Sequence, residues 1–147
     1  MAMMSGGCLC GAVRYRIDGP PEFCVLCYCR DCQRASGSGH VPVMGARRAQ
    51  VTITGDTASY GVRADSGQMA IRHFCRTCGS LLYGRSDDER DPIMSIYIGT
   101  LDDPSVFQPT TAICTRSRAP WDRSVAALRE FPGMPFQAAA DQQQGAT

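Results

Sequence analysis

The chain has no lysine, and each of its 15 cationic side chains is arginine, a bias of composition from which no function follows. Those arginines nearly balance 14 acids, leaving a net charge of +1. The densest basic spots, Arg47-Arg48 and Arg116-Ser117-Arg118, lack the interleaved aromatics of a nucleic-acid surface, so a nucleic-acid partner is not expected. No apolar run approaches the roughly 18 residues of a membrane helix, so none is expected. The opening Met1-Ala2-Met3-Met4-Ser5 runs at once into Gly6-Gly7-Cys8, too short and polar for a secretion signal. A cytoplasmic protein is therefore expected, where thiols stay reduced and clustered cysteines mean metal or catalysis. Helix-forming stretches are scarce as well.

What the chain has instead is cysteine: nine in 147 residues, an odd number that internal disulfides cannot fully pair. Four sit in Cys24-Val-Leu-Cys27-Tyr-Cys29-Arg-Asp-Cys32. Cys8-Leu-Cys10 lies upstream and Cys75-Arg-Thr-Cys78-Gly79 downstream, while Cys114 stands apart.

Most other segments read as short strands. Val13–Ile17 and Val51–Thr54 alternate apolar and polar residues, Ala70–Phe74 leads into Cys75, and Leu81–Tyr83 stops at Gly84. Ile93–Ile98 is the most continuous apolar run and the expected central strand, and Thr110–Thr115 is another candidate. Nine prolines and 15 glycines punctuate them, as in a mainly β fold. Asp31–Ser36 predicts one or two helical turns, ended by Gly37-Ser38-Gly39; 124–131 has a weak helical spacing cut by Pro132-Gly133. A single domain over 6–135 is expected, with a disordered tail over 136–147.

Cys75-x-x-Cys78-Gly79 is half of a zinc knuckle, and zinc takes four ligands at tetrahedral corners. Cys8 and Cys10, facing one way in an extended segment, are the natural other half. This closed, structural site would join the start of the chain to its middle. In the central cluster Cys29 and Cys32 share a helical face and Cys27 enters from extended chain. If Cys24 joins them, the site is closed and structural; if not, three thiolates leave the fourth position open. Such a metal carries a net negative charge. It suits the binding and deprotonation of an incoming thiol better than the activation of water. Spacing alone leaves both readings open.

Four ordered motifs carry a resemblance. Gly6–Tyr15, Cys27–Gly37, Arg72–Ser80 and Gly99–Asp102 are similar to the glutathione-dependent formaldehyde-activating enzyme (GFA) family, which includes the centromere protein V domain. The resemblance implies small antiparallel sheets around two zinc ions. It implies structural zinc on Cys8, Cys10, Cys75 and Cys78, and catalytic zinc on Cys27, Cys29 and Cys32 without Cys24. The activity it implies is that of a carbon–sulfur lyase. A small thiol such as glutathione and an aldehyde form or release an adduct such as S-hydroxymethylglutathione. The alternative is a non-catalytic zinc module with both sites closed. One departure stands out: Tyr28 occupies the place of a family histidine, and a phenol with a pKa near 10 is a poor base.

His40 and His73 are candidate acid–base residues, each weighed against a histidine satisfied by its own strand or turn. Asp31 reads as a cap or surface residue. Cys24 and Cys114 read as small buried residues, Trp121 as core, and Ser36-Gly37-Ser38 as a turn.

Overall fold

The computed structural model describes residues 3–123 and 127–135. Among these it is mainly β, with eleven strands, one α-helix and short 3-10 turns. Backbone packing divides the chain into two compact units, Met1–Phe23 with Val43–Phe107 and Cys24–Pro42 with Gln108–Thr147.

The first unit contains a three-stranded antiparallel sheet in the order β1 (Met4–Gly7), β2 (Arg14–Ile17), β5 (Val51–Thr54). Alternation in β2 works as its sequence predicts: Tyr15 and Ile17 point inward, and Arg14 and Arg16 face solvent. A longer antiparallel run has the order β4 (Val41–Arg47), β9 (Ile93–Tyr97), β8 (Leu81–Ser86), β7 (Met69–Cys75), β6 (Thr57–Arg63). The apolar run at Ile93 is thus an interior strand, with Ile96 fully buried and both edges paired. Strand β8 runs through Gly84, where the sequence suggested a stop. A side chain there would meet the Tyr97 hydroxyl at 3.0 Å, so glycine serves packing and not a turn.

In the second unit β10 (Thr111–Ile113) pairs in parallel with both β3 (Phe23–Cys27) and β11 (Arg129–Glu130). Helix α1 (Arg30–Ser36) follows β3 and ends at Gly37 in the left-handed region, φ 70°. Gln33 is buried and ties the helix down, its amide donating to the carbonyls of Tyr28 (2.7 Å) and Ser117 (2.9 Å). Of the weak helical stretch over 124–131, residues 124–126 lie outside the described residues, and Arg129–Glu130 form strand β11. The proposed tail over 136–147 also lies outside them.

Candidate metal centres

Each unit gathers one group of thiols. In the first, the sulfurs of Cys8, Cys10, Cys75 and Cys78 all lie within 4.8 Å of one another. Cys8 Sγ is 3.6 Å from Cys10 Sγ, and Cys10 Sγ is 3.7 Å from Cys75 Sγ. These separations are far beyond an S–S bond, and none of the nine cysteines is in a disulfide. A tetrahedron with Zn–S bonds of about 2.3 Å has edges of about 3.8 Å, so the cage fits a zinc ion.

Two turns build this cage. The Gly79 N–H returns to the Cys75 carbonyl at 2.9 Å with φ at +77°, a conformation glycine reaches without strain. The Gly11 N–H returns to the Cys8 carbonyl at 3.1 Å with φ at +82°. Cys8 and Cys10 therefore sit on a turn and not on the extended segment expected, and Leu9 between them is exposed. Backbone N–H groups point at the sulfurs: Val13 at Cys8 (3.2 Å), and Thr77 and Cys78 at Cys75 (3.4 Å each). The Ser80 hydroxyl, 3.3 Å from Cys78 Sγ, and the Ser80 N–H pull the Cys78 thiol down to about 5. The Ala12 N–H favours the Cys10 thiolate, but the hydrogen bond with Cys8, burial and the other two thiols outweigh it and push Cys10 up to about 11. Neighbouring thiolates disfavour one another unless a cation lies among them.

In the second unit the sulfurs of Cys27, Cys29 and Cys32 lie within 4.8 Å of one another. Strand β3 delivers Cys27, and Cys29 caps α1, its sulfur accepting from the Cys32 N–H at 3.2 Å. Cys24 is not part of this group. It stands three residues earlier on β3, where its carbonyl accepts from the Thr110 N–H at 3.1 Å. The neighbour that sequence reading missed is Cys114. Its thiol faces Cys27, and hydrogen bonding with Cys114 first, then with Cys29 and Cys32, pushes the Cys27 thiol up. The signal was in the pairing: Ile113 lies opposite Cys27 in the β3–β10 ladder, so residue 114 arrives beside the cluster. Cys114 is also the one non-glycine residue with positive φ (57°) among the described residues. Cys24 and Cys114 are both half-buried, less enclosed than the sequence suggested.

The model of the family described as "Glutathione-dependent formaldehyde-activating enzyme" matches residues 3–117. The chain belongs to this GFA family. A GFA relative from Halomonas elongata, named provisionally for the same enzyme, is 30% identical over 86 residues, covering 55% of each chain. The chain thus spans about half the length of that relative. A crystal structure of a Rhodobacter sphaeroides protein superposes with a TM-score of 0.55 at 20% identity. It covers 87% of this chain and all of that one, and the likeness is one of fold.

The two histidines of this GFA chain have different surroundings. His73, on β7, stacks on Tyr83 with ring centroids 4.5 Å apart. Its Nδ1 meets the Thr57 hydroxyl at 3.2 Å and its Nε2 accepts from Arg85 at 3.2 Å, so both nitrogens are occupied. Burial first, and Arg85 second, lower its pKa. His40 lies in the second unit with the Cys27 group, its Nδ1 2.7 Å from Asp122 Oδ2. Its ring lies 4.9 Å from that of Tyr28, which is fully buried between two of the cysteines in sequence. Burial, then the Asp122 charge, raises the Tyr28 pKa, so the phenol is no base at neutral pH. Trp121 is 75% exposed, not the core residue expected. The N–H groups of Gly37 and Ser38 are taken by the Gln33 carbonyl and the Ser36 hydroxyl, so this segment is a closed turn.

Proposed function

We propose that the chain is a zinc-dependent carbon–sulfur lyase of the GFA type that joins a small thiol to an aldehyde or releases it. Glutathione and formaldehyde, from the family's name, are the leading substrates. Cys8, Cys10, Cys75 and Cys78 hold a structural zinc, and Cys27, Cys29 and Cys32 hold the catalytic one. The observation that carries this reading is the gathering of three thiols, one short of a closed tetrahedron, with Cys24 outside it. Zinc bound there supplies a place where an incoming thiol is held as its thiolate.

The chain's own groups supply the rest. His40 accepts the thiol proton and returns it to the carbonyl oxygen as sulfur adds to carbon, so the adduct forms with no net proton change. Release reverses these transfers. Tyr28 packs against the imidazole and limits its movement. His73, with both nitrogens engaged, serves structure.

A second reading, a closed and non-catalytic zinc module, is favoured by the Cys114 thiol beside Cys27. Incubation of the zinc-loaded protein with glutathione and ¹³C-formaldehyde separates the two. The enzyme reading expects faster exchange between free and thiol-bound carbon than in buffer, abolished by Cys29→Ser. Exchange at the uncatalysed rate supports the closed module.

A further inference from the structure

The second unit holds an acid–base pair whose carboxylate sequence reading did not single out. Asp122 is largely buried, its side chain 11% exposed, and one carboxylate oxygen lies 2.7 Å from His40 Nδ1. Two local features put it there. The Asp122 N–H closes a turn onto the Ala119 carbonyl at 3.0 Å. Gly39 leaves room for it: a Cβ at that position would lie 2.3 Å from Asp122 Oδ2 and 2.8 Å from the Trp121 ring. The imidazole is thus bounded by Asp122 and by the buried Tyr28 ring. Among the described residues no hydrogen bond takes its Nε2.

We propose that Asp122 is a positioning residue for His40. Its carboxylate accepts the Nδ1–H, so Nε2 is the nitrogen that takes the proton of the incoming thiol and hands it to the carbonyl oxygen. The same arrangement fixes one tautomer and orientation of an imidazole in hydrolytic triads. The assignment rests on the thiol–aldehyde reading above. The S–H proton moves to Nε2, a C–S bond forms at the carbonyl carbon as its C=O π bond opens, and the proton leaves Nε2 for the oxygen.

The test has a readout that a purely structural tie would not move. Ring ¹⁵N shifts of labelled histidine report the tautomer; the chain has only two histidines, and His40→Asn assigns the signal. The wild-type protein is expected to show protonated Nδ1 and unprotonated Nε2, a balance that Asp122→Asn shifts toward protonated Nε2. Trp121, the one tryptophan, lies beside the pair, and its fluorescence follows glutathione binding. Calorimetry in two buffers of different ionisation enthalpy then counts protons. Wild-type release should stay near zero, rising to about one proton per glutathione in Asp122→Asn and His40→Asn, with metal content unchanged. A wild-type Nε2–H tautomer, or equal proton release in all three proteins, would overturn the assignment. The expected tautomer with no glutathione binding to wild-type protein would overturn the thiol reading and this role with it.

Discussion

A methyl group added to Gly6 would lie 2.3 Å from the Thr100 carbonyl oxygen and 2.3 Å from the Tyr15 hydroxyl. One of those atoms is backbone and the other is fixed by a 2.8 Å hydrogen bond to Thr100, so neither yields easily. Gly6→Ala should therefore destabilise the protein by about 1–3 kcal/mol through overpacking. Urea unfolding at fixed metal loading measures this; an unchanged midpoint would show that the contact relaxes. His73 gives a prediction in pH. Its folded pKa is lowered from 6.5, first by burial and then by Arg85. Between its folded value and 6.5 the unfolded chain binds a proton that the folded chain does not. The stability His73 contributes is complete above 6.5 and is lost as pH falls through its folded value. An NMR titration should place the His73 midpoint below 6.5, and a midpoint at or above that value would contradict the packing described.

At the scale of elements, the two cysteine groups cross-link the chain very differently. Cys10 and Cys75 are 65 residues apart, so a metal between them ties the β1–β2 turn to the end of β7. Structural zinc is worth about 10–16 kcal/mol in small zinc peptides, as much as the whole stability of a typical domain. Cys75→Ser should therefore give an unfolded or insoluble protein. Cys27, Cys29 and Cys32 lie within six residues, and Cys29→Ser should give a folded protein with one metal fewer. Metal analysis with thermal unfolding of both variants checks this, and equal loss of structure in both would contradict it. The paired spacings of the cysteines make both groups legible in the sequence. Also legible are the helix stopped at Gly37, the alternation of β2 and β5, and the interior place of β9. Strands β4 and β6 are not. Val41–Arg47 carries Pro42 and Gly45, which read as breaks, yet Gly45 is needed because the Phe23 ring fills the space where its Cβ would be, 2.4 Å away. Thr57–Arg63 is too polar to show a period. Cys114 and Asp122 escape notice because only chain pairing and a tight turn bring them to Cys27 and His40.

For the whole molecule, membership of the GFA family and two thiol groups predict about two zinc ions per chain, with binding that releases protons from thiols and weakens at low pH. If the Cys27–Cys29–Cys32 site is catalytic, as proposed, it keeps an exchangeable position. Cobalt substituted for zinc absorbs according to its thiolate ligands and reports that position directly. Adding glutathione to the cobalt protein should change the spectrum of one of the two ions, in the wild-type protein and in Cys24→Ser alike. If glutathione and other small thiols leave the wild-type spectrum unchanged, while Cys114→Ser alone alters it, four protein sulfurs close the site and the enzyme account fails.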